Sequence, residues 1–286
     1  MSIGKIYLLI SAFVYGIMPL FARGVYAGGS NAVTLIVLRS FLALPLLYAI
    51  IHIKKISLKL NKNDLLKILA LSVPGNGAAM LSLYMSYKYI SVGTATVIHY
   101  IYPIIVFAAC VIFFGERLTA AKIVSLVLVS VGILMFMDSS EEPDMYGIVT
   151  AFMSGVFYAF YVIFMDKSGI DNMNYLKLTF YVSLFSGISV LIFSLFTHTL
   201  DVTITAQGWI LSVIISFLST LAAIPLFQLG VKKEGASSAA VISTFEPITS
   251  IVTGAVFLNE KITVTGIIGC VMIFFGIAVI EMKKNE

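Results

Sequence analysis

Residues 95–119, ATVIHYIYPIIVFAACVIFFGERLT, and residues 239–263, AAVISTFEPITSIVTGAVFLNEKIT, decide the fold of this chain. Each stretch is a long apolar run that contains one proline and ends in a turn with a glutamate and a basic residue. A shift of 144 residues aligns the two stretches without a gap and places Pro103 on Pro247. Apolar helices match Leu, Ile and Val by chance, but a shared proline and a shared charged turn at one fixed shift indicate an internal repeat.

The repeat extends over both halves of the chain. At the shift of 144 the alignment runs from about residue 81 to residue 136, and near the start of each half the shift is 143. The matched pairs include Phe113 with Phe257, Glu116 with Glu260, Thr119 with Thr263, Gly132 with Gly276, Ser11 with Ser154 and Tyr15 with Tyr158. We therefore expect two repeated units, residues 1–138 and residues 145–286.

The composition indicates an integral membrane protein. Of the 286 residues, 60% are hydrophobic and 11% are charged, whereas roughly a quarter of the residues of a soluble domain are charged. A membrane-spanning helix needs roughly 20 apolar residues. Such segments lie at 5–23, 32–53, 65–87, 93–114, 120–137, 146–165, 176–196, 209–230, 237–258 and 263–281. Because lipid offers the backbone no hydrogen bonds and β-barrel alternation is absent, the expected fold class is all-α, with ten transmembrane helices.

The distribution of Lys and Arg predicts the orientation in the membrane. With the N-terminus inside, all basic residues except Arg23, Arg39, Lys88 and Lys261 lie on the cytoplasmic side, that is, 14 of 18. Both termini are then cytoplasmic, and the first apolar run is a membrane helix rather than a signal peptide. Since each half holds an odd number of segments, the second half enters the membrane in the opposite direction. Inverted repeats of this kind recur in secondary transporters.

The charged turns carry a family resemblance. They read Gly115-Glu116-Arg117-Leu118-Thr119 followed by Gly132, and Asn259-Glu260-Lys261-Ile262-Thr263 followed by Gly276, with Glu246-Pro247 upstream of the second turn. Over essentially the whole chain, the sequence resembles the EamA-type family of the drug/metabolite transporter superfamily. In one position the first half departs from the pattern, because Tyr102-Pro103 stands where the second half has Glu246-Pro247.

This resemblance implies a function as well as a fold. The expected protein has ten helices in two inverted repeats, a central cavity lined mainly by segments 1, 3, 4, 6, 8 and 9, and alternating access. It is expected to be a secondary transporter of the cell (plasma) membrane that exports small polar metabolites such as amino acids. Substrates vary widely within the family, so the resemblance does not identify the cargo.

Glu246 is the strongest single candidate for a functional residue. It lies about nine residues into segment 9, near the middle of the bilayer. A charge there costs on the order of 3 kcal/mol, and burial disfavours the charged form of a carboxyl group. We expect Glu246 to couple transport to protons or to bind a substrate amine. The alternative is a structural ion pair with Arg39.

The two prolines of the repeat are expected to break segments 4 and 9. Each removes the helical partner of the carbonyl group four residues earlier, that is, of His99 and of Ser243. Tyr102 and Glu246 follow three residues later and share those helical faces. Broken helices are tolerated where they face protein or a water-filled cavity, so these four residues are expected to line a cavity at mid-depth. The alternative is that the prolines only kink the helices for packing.

Arg39 and His99 each keep more than one interpretation. Arg39 lies within segment 2 and either snorkels outward, pairs with Glu246 or holds an anionic group of the substrate; a structural or gating role is favoured. His99 either relays protons or binds a carboxylate, or is a neutral donor to a nearby carbonyl group.

Further candidates for the cavity lining are polar or aromatic residues within apolar segments. They are Tyr15 with its repeat partner Tyr158, Asn76 in the Pro74-Gly75-Asn76-Gly77 interruption of segment 3, and Tyr84, which matches Gln228 of segment 8. Pro19 is expected to interrupt segment 1 and to leave the carbonyl group of Tyr15 unpaired. Ordinary packing is the alternative for each of these residues.

Other functions are weighed against export. One buried carboxylate among aromatic faces suits an ammonium group, so uptake of a primary or quaternary amine is the alternative transport function. An enzyme is not expected, because the sequence has three histidines, no HExxH motif and no paired intramembrane aspartates. A passive channel would call for rings of charge or repeated carbonyl filters.

We expect no cofactor, metal or nucleic acid. The expected partners are a small-molecule substrate, the lipid bilayer and protons, and the protein is expected to be a monomer or a homodimer.

Overall fold

The chain folds into a bundle of α-helices. The computed structural model describes residues 1–90, 92–117, 119–136, 144–258 and 263–282. Those residues form ten helical segments, α1–α10, and a single 3-10 turn, and they contain no strand. The uninterrupted helices are α1 (Ile3–Ala27), α5 (Ala120–Leu134), α6 (Met145–Lys167), α7 (Tyr175–Phe196) and α10 (Val264–Met282). The composite ones are α2 (Ala32–Phe41, Leu44–Ile53), α3 (Lys62–Ala70, Leu71–Gly77, Ala78–Ser86), α4 (Val92–His99, Tyr102–Phe114), α8 (Ala206–Phe217, Leu218–Ala223, Ile224–Glu234) and α9 (Ala236–Ile242, Phe245–Leu258).

Eight of these segments are long and apolar enough to cross a membrane: α1 to α4 and α6 to α9. The other two, α5 and the stretch Val264–Val279 of α10, are apolar but shorter than 18 residues. The chain is therefore a multi-pass, all-helical membrane protein, and every segment predicted from the sequence coincides with a helix. The second charged turn, at 259–262, and the acidic stretch at 138–143 lie outside the described residues.

Helices α4 and α9 are interrupted at matching places. α4 breaks at residues 100 and 101, and α9 breaks at residues 243 and 244. Because proline fits the first turn of a helix, each second piece starts one or two residues before its proline. α3 and α8 share another irregularity, a π-helical turn at Leu71–Gly77 and at Leu218–Ala223. In α3 this wide turn replaces the interruption expected at Pro74.

Pro19 does not interrupt α1. The helix is continuous from Ile3 to Ala27 with Pro19 inside it, so the predicted break in segment 1 is wrong. Pro19 lies exposed on the surface of the bundle, where its ring displaces no packed neighbour. A long helix held on its other face tolerates the one hydrogen bond that proline removes.

Helices from the two halves of the chain interleave. α1 packs against α8 and α9, and α6 packs against α3 and α4. α2 packs against α7, and α5 packs against α10. The largest buried cluster accordingly joins Leu8 and Tyr102 of the first half to Met165 and Val231 of the second. This interleaving brings the interrupted helices α4 and α9 into one core.

Small residues allow α5 and α10 to approach closely. A methyl group added to Gly132 would lie 2.8 Å from the carbonyl oxygen of Gly269. Ser125 Oγ donates a 2.6 Å hydrogen bond to the carbonyl oxygen of Gly276. Close backbone approach through glycine and serine is the usual way in which membrane helices associate. The matched glycines Gly132 and Gly276 are thus packing residues.

Candidate functional site

Aromatic side chains gather around the interruption of α4. The ring centroid of His99 lies 5.4 Å from that of Tyr158 and 5.5 Å from that of Tyr102. Tyr102 and Tyr158 meet edge to face at 4.7 Å, and Tyr100 lies 5.6 Å from Tyr102. These separations are those of favourable aromatic pairs. α4 and α6 therefore build one continuous aromatic surface.

The aromatic surface continues toward α8. Tyr161 is stacked on Tyr158 with a centroid distance of 5.7 Å, and Phe227 is stacked on Tyr161 at 6.2 Å. Tyr158 and Tyr161 are three residues apart on α6 and hence share a face. We use the name tyrosine cluster for the six rings of His99, Tyr100, Tyr102, Tyr158, Tyr161 and Phe227.

His99 is held by α6 through a serine. Its Nδ1 lies 2.9 Å from Ser154 Oγ, and Ser154 Oγ donates its own proton to the carbonyl oxygen of Ala151 at 2.6 Å. A hydroxyl group carries one proton, so while Ser154 donates to Ala151 it accepts from His99 Nδ1, and Nε2 is then the ring nitrogen left as an acceptor.

Two glycines bring the interrupted helices against their neighbours. A methyl group on Gly155 of α6 would lie 2.7 Å from the carbonyl oxygen of His99. A methyl group on Gly16 of α1 would lie 2.6 Å from the carbonyl oxygen of Glu246. Because real side chains do not approach a carbonyl oxygen so closely, each contact requires glycine. At both interruptions, a glycine on the neighbouring helix thus allows the backbone to pack closely.

Glu246 lies in the second piece of α9, next to α1. It is half-buried, and its carboxyl group interacts with the side chain of Tyr100 and with the charge of Arg39. Tyr15 is close enough to interact with both Arg39 and Glu246. The carboxyl group of Glu246 is thus within interaction range of side chains from α1, α2 and α4.

Arg39 is buried rather than snorkelling outward, since 8% of its surface is exposed. Its backbone carbonyl accepts a 2.8 Å hydrogen bond from Ser216 Oγ, which ties α2 to α8. Among the described residues, Arg39 and Glu246 form no direct ion pair. Arg39 therefore acts on Glu246 through its charge, without a direct contact.

The carbonyl group of Ser243 is not left unpaired, contrary to the expectation from Pro247. It accepts the backbone N–H of Glu246 at 3.1 Å, because the chain tightens into an i→i+3 bond at the interruption. Tyr102 reaches this part of α9 as well: its hydroxyl group lies 3.4 Å from the carbonyl oxygen of Ala240 and interacts with the side chain of Ser243. Tyr102 thus joins the two halves of the repeat.

Two of the predicted site residues lie away from the tyrosine cluster, and a third lies at its edge. Asn76 donates a 3.0 Å hydrogen bond to Ser186 and joins α3 to α7. Tyr84 packs edge to face against Tyr87 at 5.3 Å. Gln228 accepts a 3.0 Å hydrogen bond from Thr179 of α7, and its side chain interacts with that of Tyr161 in the cluster.

Sequence reasoning missed Tyr100, Tyr161 and Phe227. Tyr161 carries a usable signal, because its i, i+3 spacing to Tyr158 puts both rings on one face. No sequence pattern indicates Tyr100 or Phe227, since an aromatic residue in an apolar segment ordinarily packs in the core or faces lipid. The interruption of α4 brings Tyr100 next to Glu246, and that turn is set by tertiary packing.

A polar latch joins the end of α4 to the start of α9. Glu116 Oε2 accepts a 2.6 Å hydrogen bond from Ser237 Oγ, and Glu116 Oε1 forms an ion pair with Lys122. Asp166 Oδ2 accepts the backbone N–H of Ala236 at 3.2 Å. Burial raises the pKa of the Glu116 carboxyl, but the hydrogen bonds from Lys122 and Ser237 outweigh it and hold the pKa below its ordinary value. We call these five residues the latch.

Comparison with known proteins matches both halves of the chain to one family. Residues 2–137 and residues 145–282 each match the EamA-like transporter family. An uncharacterized transporter of Archaeoglobus fulgidus is 27% identical over 241 residues, covering 83% of this chain and 84% of that protein. The uncharacterized transporter YcbK of Bacillus subtilis is 23% identical over 292 residues, covering 98% of this chain and 93% of that protein.

A solved crystal structure shares the fold. It superimposes with a TM-score of 0.83 at 16% sequence identity, and the match covers 100% of this chain and 99% of the other.

Proposed function

The chain belongs to the EamA-like transporter family, and on that premise we propose that it is a secondary active transporter that exports small polar metabolites such as amino acids. The main support is the position of Glu246, a half-buried carboxyl group beside the interruptions of α4 and α9, with Arg39 and Tyr100 next to it. Ionisable groups inside a membrane protein are costly and mark substrate or ion pathways.

In this proposal all ten helical segments cross the plasma membrane as two inverted repeats, residues 1–138 and residues 145–286, with both termini in the cytoplasm. The paired interruptions of α4 and α9 and the paired π-turns of α3 and α8 support a structural repeat. The packing of α1 on α9 and of α6 on α4 is reciprocal, as a two-fold relation requires. The distribution of Lys and Arg supports the orientation.

Alternating access is supported by the way the pieces of α4 and α9 pack. The second piece of α4 (Tyr102–Phe114) packs against the first piece of α9 (Ala236–Ile242), on the side that the latch closes. The first piece of α4 (Val92–His99) packs on α6 instead, and the second piece of α9 (Phe245–Leu258) packs on α1. Among the described residues, α4 and α9 thus pack on each other beside Glu116, on the proposed cytoplasmic side, and on different partners at the other side. Alternating access would require the latch to open as the opposite ends of α4 and α9 come together.

We further propose that Glu246 couples export to the entry of protons. A proton taken up from outside neutralises the carboxylate that faces Arg39 and Tyr100. Its release to the cytoplasm, when substrate binds, restores the charge. One proton then moves inward for each solute moved outward, because proton and substrate compete for the same group.

Efflux from proteoliposomes tests both proposals. Vesicles loaded with a mixture of radiolabelled amino acids are assayed with and without an inward proton gradient, for the native protein and for Glu246→Gln. We expect the gradient to accelerate efflux by the native protein and to have no effect on Glu246→Gln. Asp64→Asn, which alters a half-buried carboxylate in the first turn of α3, is the matched control and should behave like the native protein.

The two proposals fail separately in this assay. Equal gradient dependence in the native protein and in Glu246→Gln would remove the coupling role of that residue. Absence of efflux for every amino acid, with or without a gradient, would refute the proposed substrate class.

Uptake of a cationic solute is the second candidate function. It is favoured by the aromatic faces of the tyrosine cluster next to the single carboxyl group of Glu246, since ring faces and one carboxylate together suit an ammonium group. Competition by a quaternary amine separates this function from amino-acid export.

A further inference from the structure

Arg39 is a buried charge whose side chain has no direct partner. Only 8% of its surface is exposed. In the part of the chain that the structure describes, its guanidinium group forms no hydrogen bond and no ion pair. None of its nitrogen atoms is fully enclosed, since the enclosed side-chain atoms that lack a partner there belong to Ser72, Ser183 and Gln228. The donors of Arg39 are therefore both unpaired and accessible.

The backbone of Arg39 is fixed to α8. Its carbonyl oxygen accepts hydrogen bonds from Ser216 Oγ at 2.8 Å and from Thr220 Oγ1 at 3.4 Å. Ser216 Oγ also accepts the backbone N–H of Ala43 at 2.9 Å, just after the first piece of α2 ends. A side chain that holds a ligand needs a backbone that is itself held in place. Arg39 is thus presented to the interior of the bundle from a fixed position.

Glu246 lies within electrostatic range of Arg39 but forms no ion pair with it. Tyr15 of α1 interacts with both charges, and α1 contacts both α2 and α9. Opposite charges inside a protein gain most from direct contact, and a buried charge without a partner is costly. A ligand that brings a negative group to Arg39 and a positive group to Glu246 would remove both costs.

Tyrosine rings from three helices lie near the two charges. Tyr26 of α1 interacts with Arg39 and with Tyr87 of α3, and Tyr87 interacts with Glu246. Tyr100 of the tyrosine cluster interacts with Glu246 from α4. Small-molecule sites combine a few polar groups with aromatic and apolar surface. The two charges therefore have neighbours that suit the apolar body of a small solute.

We propose that Arg39 and Glu246 together select a zwitterionic solute, an α-amino acid whose carboxylate binds to Arg39 and whose ammonium group binds to Glu246. The planar guanidinium group matches a carboxylate with two parallel hydrogen bonds, and a carboxylate accepts hydrogen bonds from an ammonium group. The inference rests on the proposed transport function and narrows its substrates to molecules that carry both charges. A simple amine leaves Arg39 unpaired, and a simple acid leaves Glu246 unpaired.

Three probes with one apolar body test this selection. Leucine carries both charged groups, isopentylamine lacks the carboxylate, and isocaproate lacks the ammonium group. Binding of each probe to the purified full-length protein is measured as ligand-dependent melting. We expect leucine to bind about tenfold more tightly than either of the others, because each of them loses the hydrogen bonds to one charged group.

Two substitutions separate the roles of the charges. Arg39→Gln should weaken leucine binding by about tenfold and should not weaken the binding of isopentylamine, which has no carboxylate to lose. Glu246→Gln should weaken leucine binding to a similar extent and should not weaken the binding of isocaproate. If Arg39→Gln does not fold, Arg39→Lys should still weaken leucine binding selectively, because lysine keeps the charge but not the two parallel hydrogen bonds.

The chain offers a matched control for each charge. Arg23 is exposed near the end of α1, and Asp64 is a half-buried carboxylate in the first turn of α3. Arg23→Gln and Asp64→Asn should bind all three probes as the native protein does.

Absence of leucine binding would overturn the inference, as would an affinity for isopentylamine or isocaproate equal to that for leucine. An equal loss of leucine and isopentylamine binding in Arg39→Gln would also overturn it, since Arg39 would then hold the fold and not a carboxylate. Efflux measured in parallel keeps the two proposals apart. A native protein that binds leucine through both charges but moves no amino acid would retain the site and refute the transport function.

Discussion

Ser237 Oγ donates a 2.6 Å hydrogen bond to Glu116 Oε2, and this contact joins the charged turn of the first half to the start of α9 in the second. Glu116 belongs to the motif that identifies the repeat. Sequence alone marks it as a helix junction at the membrane surface. The structure gives it a partner 121 positions away, on the side where the pieces of α4 and α9 pack together. The contact therefore ties the end of α4 to the start of α9.

Weakening the latch should open that side of the bundle. Cys110 is a fully buried thiol next to Ser237 and Glu116, so its reaction with a water-soluble maleimide reports opening. In a Cys270→Ala background, we expect Glu116→Gln and Ser237→Ala to speed labelling of Cys110 by about tenfold, because each removes or weakens a hydrogen bond to a charged group.

Matched controls for this prediction are available. Ser130→Ala removes a hydroxyl group that bonds within its own helix, and Asp64→Asn changes a half-buried carboxylate in the first turn of α3. Neither should alter the labelling rate. Unchanged labelling in both latch variants would show that the contact does not govern access to this side.

Acid should open the latch as well. The pKa of Glu116 is lower than its ordinary value because hydrogen bonds from Lys122 and Ser237 outweigh burial. A carboxyl group with a lowered pKa contributes its stabilisation above its ordinary pKa, about 4.3, and loses it as the pH falls through the lowered pKa. We therefore expect a closed latch at neutral pH and opening only in strong acid.

A distance measurement checks the pH dependence. Spin-labelled unnatural amino acids at the exposed positions Ala120 and Lys233 leave Cys110 in place. The distance between the labels should gain a longer component below about pH 4.3. Glu116→Gln should show that component already at neutral pH and should not respond further to acid. If the latch of the native protein opens near neutral pH, protonation of Glu116 does not control the opening.

The glycines beside the interruptions should not tolerate alanine. The added methyl group would lie 2.7 Å from the carbonyl oxygen of His99 in Gly155→Ala and 2.6 Å from that of Glu246 in Gly16→Ala. Backbone cannot move aside as a side chain can, so each change should cost about 1–3 kcal/mol and lower the melting temperature.

Gly24→Ala is the control for an added methyl group that meets a side chain and not a backbone carbonyl group. Its methyl group would meet the end of the flexible Leu211 side chain, which can rotate away. We expect it to melt close to the native protein. If the melting temperature falls equally in all three variants, any added volume destabilises α1 and α6, and the carbonyl groups have no special role.

Much of the fold could be predicted from the sequence, because lipid leaves few choices. Apolar runs of membrane length must be helical, and all ten predicted segments coincide with helices. The family resemblance carried by Glu116 and its repeat partner is confirmed by the match of both halves. The break expected at Pro19 was wrong, because proline prevents a hydrogen bond but does not decide whether neighbours hold the helix together.

The site was less predictable than the fold. Glu246 could be singled out, since a charge in an apolar segment has few explanations. Its surroundings could not, because contacts such as that with Tyr100 depend on how α4 and α9 turn at their interruptions. Asn76 shows the same dependence on packing: its hydrogen bond to Ser186 of α7 could not be read from its place in an apolar segment.

The ring of Tyr158, rather than its hydroxyl group, should matter if the tyrosine cluster binds cations. Tyr158 contacts His99, Tyr102 and Tyr161 through ring faces and edges. Tetraethylammonium should inhibit transport by the native protein and equally by Tyr158→Phe, which keeps the ring. Tyr158→Leu should weaken inhibition by up to about tenfold, the effect expected for one cation–π contact.

Tyr89→Leu is the control: it alters an exposed ring that is paired with Tyr146, and it should leave inhibition by tetraethylammonium unchanged. If Tyr158→Phe loses inhibition as fully as Tyr158→Leu, the hydroxyl group makes the contact, and the cluster recognises polar solutes instead of cations.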